Sequence, residues 1–457
     1  MTECLLPSER GDVRIRKYPF PYRAALAVSN DCDSCSIEIF EDWHGFVNGT
    51  GATPYGDGLG LEVGDSFWVF AGRSFGLPLY TGFADGSLTP WPHAERIAEL
   101  GRMGWFDTLH CFGNWNQDYK SVRHDLGTRA EIERGLQLMQ EKGLKPFVFV
   151  NHSWSPSNIA GPWGFYQKLD DPNHPMHAFD LMQDFGFRYY WPDYAMEMAK
   201  FGDQLEFADD EELRKAIADY KNWKLIYRRK EDRRDEILDF AMEDVDKRAL
   251  FLAMFNRTLV RMRALDGSPL TVFKRYRGAW AADESSFGKQ ASRDNLDGLE
   301  ARQGAVVLYQ HFGVTRRTAD GSKKRSLHPV LGELSVQAWR DIAERHAKGN
   351  LFLTTTGRLL DYLNLAEKLD FTVDKSSERW TITLSSLENS AEWSLRPSEE
   401  LLNGISFTVP EDAPEIVILD SRGRILDLER RADPVHPGKH AVYRQWRKLE
   451  WIPPTSS

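Results

Sequence analysis

Residues 24–33 read Ala24-Ala25-Leu26-Ala27-Val28-Ser29-Asn30-Asp31-Cys32-Asp33. The first six form a short apolar run, the pattern of a strand covered on both faces. Two carboxylates, one residue apart, follow directly. Parallel α/β proteins place their chemistry at the carboxyl ends of their strands, so this stretch predicts a strand that delivers Asp31 and Asp33 to a site. If the chain is still extended there, residues two apart share a face, and one carboxylate can bind a metal while the other acts as a base. Aspartate serves equally well in a turn or a helix cap. The pair therefore gains meaning from what other segments bring to it.

Similar apolar runs recur along the chain at 66–71 (SFWVFA), 105–110 (WFDTLH), 146–151 (PFVFVN), 187–191 (FRYYW), 270–273 (LTVF), 305–310 (AVVLYQ) and 351–355 (LFLTT). Helical patterns separate them. One spans 92–103; another spans 129–142, with Ile132, Leu136 and Met139 at helical spacing and Gly143 as a natural stop. Strand and helix alternate for more than three hundred residues, which predicts a parallel α/β architecture. Seven or eight such units, ending in polar residues, favour a distorted (β/α) barrel over an open doubly wound sheet. The barrel is expected over 1–365, with a charged helical insertion at about 195–265. Beyond it, 366–457 carries short alternating runs and the hairpin-like Asp420-Ser421-Arg422-Gly423, the texture of a small β-rich, sandwich-type domain.

Composition narrows the function. A formal net charge of −10 offers no counter-charge to a nucleic acid or an anionic membrane, so neither is expected as a partner. The basic clusters at 228–230 and 323–325 read as solvated faces. No stretch reaches the roughly 20 apolar residues of a membrane span, and residues 1–17 lack a signal-length apolar core. A cytoplasmic location is the expectation; the oligomeric state is not encoded in any pattern. Four cysteines are too few for a disulfide framework. Cys32 and Cys35 form a C-x-x-C with no second copy to complete a zinc knuckle. The Gly-rich stretch 49–64 leads toward a strand, so it reads as a surface loop, without the helix N-terminus that holds a phosphate. The 15 Trp, 15 Tyr and 26 Phe can fill a core or stack on sugar rings.

Other strand ends bring imidazoles. His110 closes the third run, and Asn114 lies four residues on, which would put both on one face of a helical turn. Asn151 and His152 close the fourth, with Trp154 soon after; these suit a substrate-binding wall, and His152 also suits an extra ligand. His311 closes the seventh and suits a general acid. Arg275 and Arg277 follow the sixth and can orient a base or bind a substrate oxygen. One acidic pair and several imidazoles from different strands fit metal-assisted hydrolysis. The metal polarises a carbonyl and acidifies water, a carboxylate takes the proton, and an imidazolium protonates the leaving nitrogen.

These residues resemble the motifs of the polysaccharide deacetylase family (carbohydrate esterase family 4, the nodulation-type deacetylase fold). In that family an early strand ends in an acidic pair, base first and metal ligand second, as Asp31-Cys32-Asp33 does here. A second motif, H-x-x-x-H, is matched by His110-Cys111-Phe112-Gly113-Asn114, and a late strand delivers an acidic histidine, as Leu308-Tyr309-Gln310-His311 does. The resemblance covers residues 18–363. It implies a distorted (β/α) barrel that removes an acetyl or similar acyl group from an N-acylated carbohydrate. Asp31 would be the base, Asp33, His110 and Asn114 the ligands of a divalent metal (zinc, with manganese or cobalt as alternatives), and His311 the acid. Asn151, His152, Trp154, Arg275 and Arg277 would shape the substrate pocket. The chain departs from the family in having Asn114 where a second histidine is usual, and Ser29-Asn30-Asp31-Cys32-Asp33 where T-F-D-D-G is usual. Two other classes fit the same sequence. A glycoside hydrolase would pair Asp31 or Asp33 with Asp193 or Glu284 across a cleft; an inactive carbohydrate-binding relative would keep the barrel without the chemistry.

Overall fold

The computed structural model describes residues 9–33, 35–71, 76–81, 88–114, 128–152, 157–160, 168–192, 258–277, 282–313, 329–385 and 397–453. All eight apolar runs form strands: β1 (Ala24–Asn30), β2 (Ser66–Ala71), β3 (Thr108–His110), β4 (Val148–Val150), β5 (Tyr189–Trp191), β6 (Pro269–Phe273), β7 (Ala305–Gln310) and β8 (Leu351–Leu353). Every residue of β1 is buried. Its three alanines let the neighbouring layers approach closely, and the continuous apolar run follows from having both faces covered.

The pairing is parallel throughout this set. β1 lies between β7 and β8, while β2, β3, β4, β5 and β6 run side by side in a nine-strand sheet. Just past β6, Tyr276 bridges in parallel to Leu308, and its amide and carbonyl bond Val307 and Tyr309. The strand order is therefore β8-β1-β7-β6-β5-β4-β3-β2. Among the described residues no backbone ladder joins β2 to β8 or β1. The architecture is mixed α/β on a mostly parallel sheet.

Eight described helices accompany the strands: α1 (Ile37–Val47), α2 (Ala94–Arg102), α3 (Arg129–Glu141), α4 (Phe179–Phe185), α5 (Glu284–Gln290), α6 (Arg293–Ala301), α7 (Glu333–Ala347) and α8 (Thr356–Lys368). Helix α3 is set by its ends. Thr128 and Glu131 form a reciprocal capping box, and Gly143 follows at φ +71°. One large apolar cluster fills the space between strands and helices, with Trp43, Trp68, Trp105, Trp191 and Trp339 almost wholly buried. Five of the nine described tryptophans thus serve the core.

The C-terminal segment is β-rich, in two sheets around a second core that includes Phe371, Ile382, Phe407, Ile418 and Val442. The Asp420–Gly423 turn closes with Gly423 at φ +75°. Residues 9–15, read as part of the barrel segment, instead form a hairpin of two short strands whose second strand, Val13–Ile15, pairs antiparallel with Ser406–Pro410. Val13 and Ile15 are fully buried there, which accounts for their placement. A second difference concerns the expected helical insertion. Residues 193–257 lie outside the described set, and Leu259–Arg263 is a strand antiparallel to β6. Gly267, at φ +84°, makes the intervening tight turn possible.

Candidate metal centre

The chain stays extended through Asp31, whose amide bonds the Gln310 carbonyl, and then turns between Cys32 and Cys35. Asp33 sits in that turn. Gly313 allows it: a Cβ at 313 would lie 2.5 Å from the Cys35 Cα and 2.6 Å from its nitrogen. The turn can therefore rest directly against the end of β7, beside His311. Cys32 and Cys35 are buried free thiols whose pKa values burial pushes well up, contrary to a redox pair.

Asp33 meets two imidazoles. Its Oδ1 is 3.2 Å from His110 Nε2, and its Oδ2 is 3.2 Å from His152 Nε2. One ligand atom from each of the three residues lies within 4.8 Å of the others. The edge of a tetrahedron with metal bonds of about 2.0 Å is ~3.3 Å, so both measured separations have the size of a ligand–ligand edge. Moreover, Asp33 Oδ1 and both ring nitrogens of His110 are buried without a hydrogen-bond partner among the described residues. Such groups are costly unless something satisfies them. A cation on the free lone pairs would do so, and the donor set of two imidazoles and a carboxylate suits zinc.

The expected ligand Asn114 belongs to a different geometry from the one expected. His110 to Asn114 is not a helical turn. Thr108 and Leu109 pair with Ser66 and Phe67, while Gly113 and Asn114 pair with Phe70 and Ala71. Three residues thus face two, a bulge with Cys111 at φ +60°. The backbone of Asn114 is in the strand, and its side chain lies outside the described set. Among the described residues, the third group that could hold an ion beside Asp33 and His110 is His152, which the sequence placed with the substrate residues or as an extra ligand.

His152 is held by its loop. Its amide donates to Asn158 Oδ1 and its carbonyl accepts from Asn158 Nδ2. Asn151, expected to touch substrate, spends its amide on Ile159 through both N–H and C=O. It braces the loop that presents His152. Trp154 lies outside the described residues. The Trp68 ring packs near both His110 and His152, at centroid distances of 5.8 and 5.4 Å.

Asp31 is bound by Arg275. The guanidinium donates to both carboxylate oxygens, at 2.6 and 3.1 Å, and to Ser29 Oγ at 3.1 Å. It is sandwiched between Trp191 and Tyr309, 3.5 and 3.8 Å from the ring centroids. Both partners of the pair are essentially inaccessible. Burial raises the Asp31 pKa, but Arg275, then His110 and His311, outweigh it and hold the carboxyl below its usual range. Arg277 is buried, with its carbonyl accepting from Gln290 Nε2.

His311 faces both carboxylates, with Nε2 3.6 Å from Asp31 Oδ2 and 3.7 Å from Asp33 Oδ2. Its Nδ1 donates to the Ala282 carbonyl at 2.8 Å. Burial alone would lower the pKa of this imidazole; Asp33 and Asp31 reverse that and raise it. His152 is likewise raised, Asp33 overcoming burial, and Asp33 is held well below the usual carboxylate range despite burial, by His152, His110 and His311. Of the rival carboxylates, Asp193 lies outside the described set, and Glu284 accepts from Gly332 N–H at 2.5 Å near the start of α7. Sequence patterns did not single out Trp68, Trp191 or Ser29; as ordinary strand residues they carry no local signal.

No family model matches this sequence, and no curated protein matches it. Among solved structures the chain is similar to diaminopimelate decarboxylase from M. jannaschii in complex with L-lysine. The identity is 10% and the TM-score 0.23, over 89% of this chain and 77% of that one. A likeness this slight carries no argument about fold or chemistry. None of the described helices is long and apolar enough to cross a membrane.

Proposed function

We propose that this protein is a metal-dependent hydrolase that removes an acetyl or similar acyl group from an N-acylated carbohydrate, on a distorted (β/α) barrel related to polysaccharide deacetylases. The convergence of Asp33, His110 and His152, from three separate strand ends, carries the reading. The substrate class rests on the sequence motifs around Asp31, His110 and His311.

Asp33, His110 and His152 would hold the ion, zinc being the metal that best suits two imidazoles and a carboxylate. When bound, such an ion polarises a carbonyl and acidifies water. Asp31 is the base: Arg275 keeps it ionised and fixes the direction of its lone pairs. His311 is the acid. Its Nδ1–H is committed to Ala282, so the proton it transfers is carried on Nε2, the nitrogen that faces the two carboxylates. Trp68 walls the centre on the side of both histidines and keeps bulk water from that side.

The test is elemental analysis after dialysis against zinc, manganese or cobalt, alongside acetate release from N-acetylglucosamine oligomers. The wild-type chain should take up one ion, and Asp33→Ala and His152→Ala should lose it together with turnover. Asp31→Asn should retain the ion and lose turnover. A wild-type chain that stays empty in excess of all three metals would overturn the proposal.

A further inference from the structure

We propose that Asn30 and Asp65 are positioning residues of the metal centre. They form a buried amide–carboxylate keystone that ties the end of β1, and the end of β7 laddered to it, to the entry of β2, where no backbone ladder joins β1 to β2 among the described residues. The inference rests on the metal-centre reading above and deepens it.

Asn30 is the last residue of β1 and is 1% exposed. Its Nδ2 donates to both oxygens of Asp65, at 2.9 and 3.0 Å. Its Oδ1 accepts from the amide of Phe312, the residue after His311, at 2.8 Å. One side chain therefore links the strand bearing Asp31, the strand bearing His311 and the entry to β2, which bears Trp68. Among the described residues, the partners of the Asp65 side chain are all donors. Besides Asn30, it accepts from Ser66 N–H at 2.7 Å and from His44 Nε2 at 3.2 Å. His44 Nδ1 accepts from Asn48 Nδ2, which leaves the ring proton on Nε2, directed at Asp65.

Ser66 completes the clamp. Its hydroxyl donates to the Asn30 carbonyl at 2.7 Å and accepts from Cys32 N–H at 3.1 Å. Those two groups bracket Asp31 and lead into Asp33. The hydroxyl thus stands in for the missing ladder between β1 and β2 at the point where the carboxylates leave the strand. Lower on the same edge, Glu62 accepts from Thr354 and pairs with Arg358 at 2.6 Å.

Burying a carboxylate is a poor way to gain stability, because desolvation offsets most of the attraction. Directional bonds instead set register, which apolar packing does not. A metal site tolerates misplacement of only about 0.5 Å, and here its ligands lie on β1, β3 and β4 segments, with the acid on β7. A keystone that fixes the laddered β1–β7 pair against β2 supplies that precision.

The experiment measures zinc affinity by competition with a chromophoric chelator, with the melting temperature of the metal-free protein recorded in parallel. Asp65→Asn turns an N–H₂ toward groups that are themselves donors, and should weaken zinc binding about ten- to hundredfold, the usual effect of losing an outer support. Ser66→Ala removes one hydroxyl from an otherwise apolar strand. It leaves the Cys32 N–H and the Asn30 carbonyl unpaired, so melting should fall somewhat while zinc binding weakens at least about fivefold, and, compared with His346→Gln at matched stability, it decides the matter if Asp65→Asn does not fold. His346→Gln, a buried polar change remote from the site, should lower melting and leave affinity unchanged. Zinc affinity in Asp65→Asn and Ser66→Ala within twofold of wild type would overturn the positioning role, as would a loss no greater than that of His346→Gln at matched stability. Failure of the wild-type chain to bind zinc is a separate result, and it would overturn the centre itself.

Discussion

Replacing Arg275 by methionine isolates the charge that holds Asp31. Methionine keeps an unbranched stem and a polarisable sulfur between Trp191 and Tyr309, but it removes three hydrogen bonds and the positive charge. Asp31 is 1% exposed and Arg275 0%, so water cannot replace the lost partner without opening the core. Deleting one member of a buried pair costs about 3–5 kcal/mol, because the surviving charge stays buried. Asp31 can escape by taking a proton. In the wild type its carboxyl titrates below the ordinary value of 3.8, contributing stability above that pH that is lost as pH falls. Without Arg275, burial is opposed only by His110 and His311, and the value moves upward. The deficit of the variant is therefore greatest near neutrality and shrinks in acid. Adding Asp31→Asn removes the stranded charge, so the double variant should recover all but about 1 kcal/mol, a coupling of at least about 2 kcal/mol. Arg275→Lys should fall between, since an ammonium neither pairs in two places nor stacks as a plane. The assay is urea unfolding at pH 7 in EDTA, read as midpoint shifts at unchanged slope. An Arg275→Met loss below about 1 kcal/mol, or additive single and double variants, would mean that no charge is stranded at Asp31.

Zinc at a hundred times its dissociation constant should stabilise the wild-type chain by about 2.7 kcal/mol, seen as a rise in melting temperature that His152→Ala abolishes. Gly313→Ala should cost about 3 kcal/mol, the upper end for overpacking, because its Cβ would strike the Cys35 backbone; circular dichroism melts and zinc affinity should fall together. His346 is buried, donating from Nδ1 to Leu351 and facing the Tyr22 hydroxyl through Nε2, and burial lowers it from 6.5 to about 4. The unfolded chain therefore binds the extra proton, and the contribution present above about pH 6.5, worth about 3 kcal/mol, should vanish as pH falls to 4; a His346→Gln stability profile that keeps the wild-type slope across this window would contradict it.

Much of this architecture is legible in the linear chain. Strands covered on both faces need unbroken apolar runs, and AALAVS, SFWVFA and AVVLYQ sit within or match β1, β2 and β7. Thr128 and Gly143 mark the ends of α3 through local hydrogen bonding and backbone freedom alone. Asp31, His110 and His311 are visible because a polar group at the end of an apolar run stands out. These are short-range properties, and a short window of sequence contains them.

What the window does not contain was decided by the fold. Helical spacing nominated Asn114, but the bulge at Cys111 exists only because residues 110–112 must match two residues of β2. His152 reaches Asp33 because its loop, braced by Asn151 and Asn158, folds it back to within 3.2 Å of that carboxylate. Arg275 finds Asp31 across 244 positions, and Arg16 finds Asp433 across 417. The N-terminal strands join the C-terminal sheet for the same reason: a ladder needs partners in space, whatever their separation along the chain. Local patterns in the chain dictate which segments are strands and which strand ends are polar. Only the packing of those segments decided which polar ends share a site, because that choice depends on distances between residues that no local pattern relates.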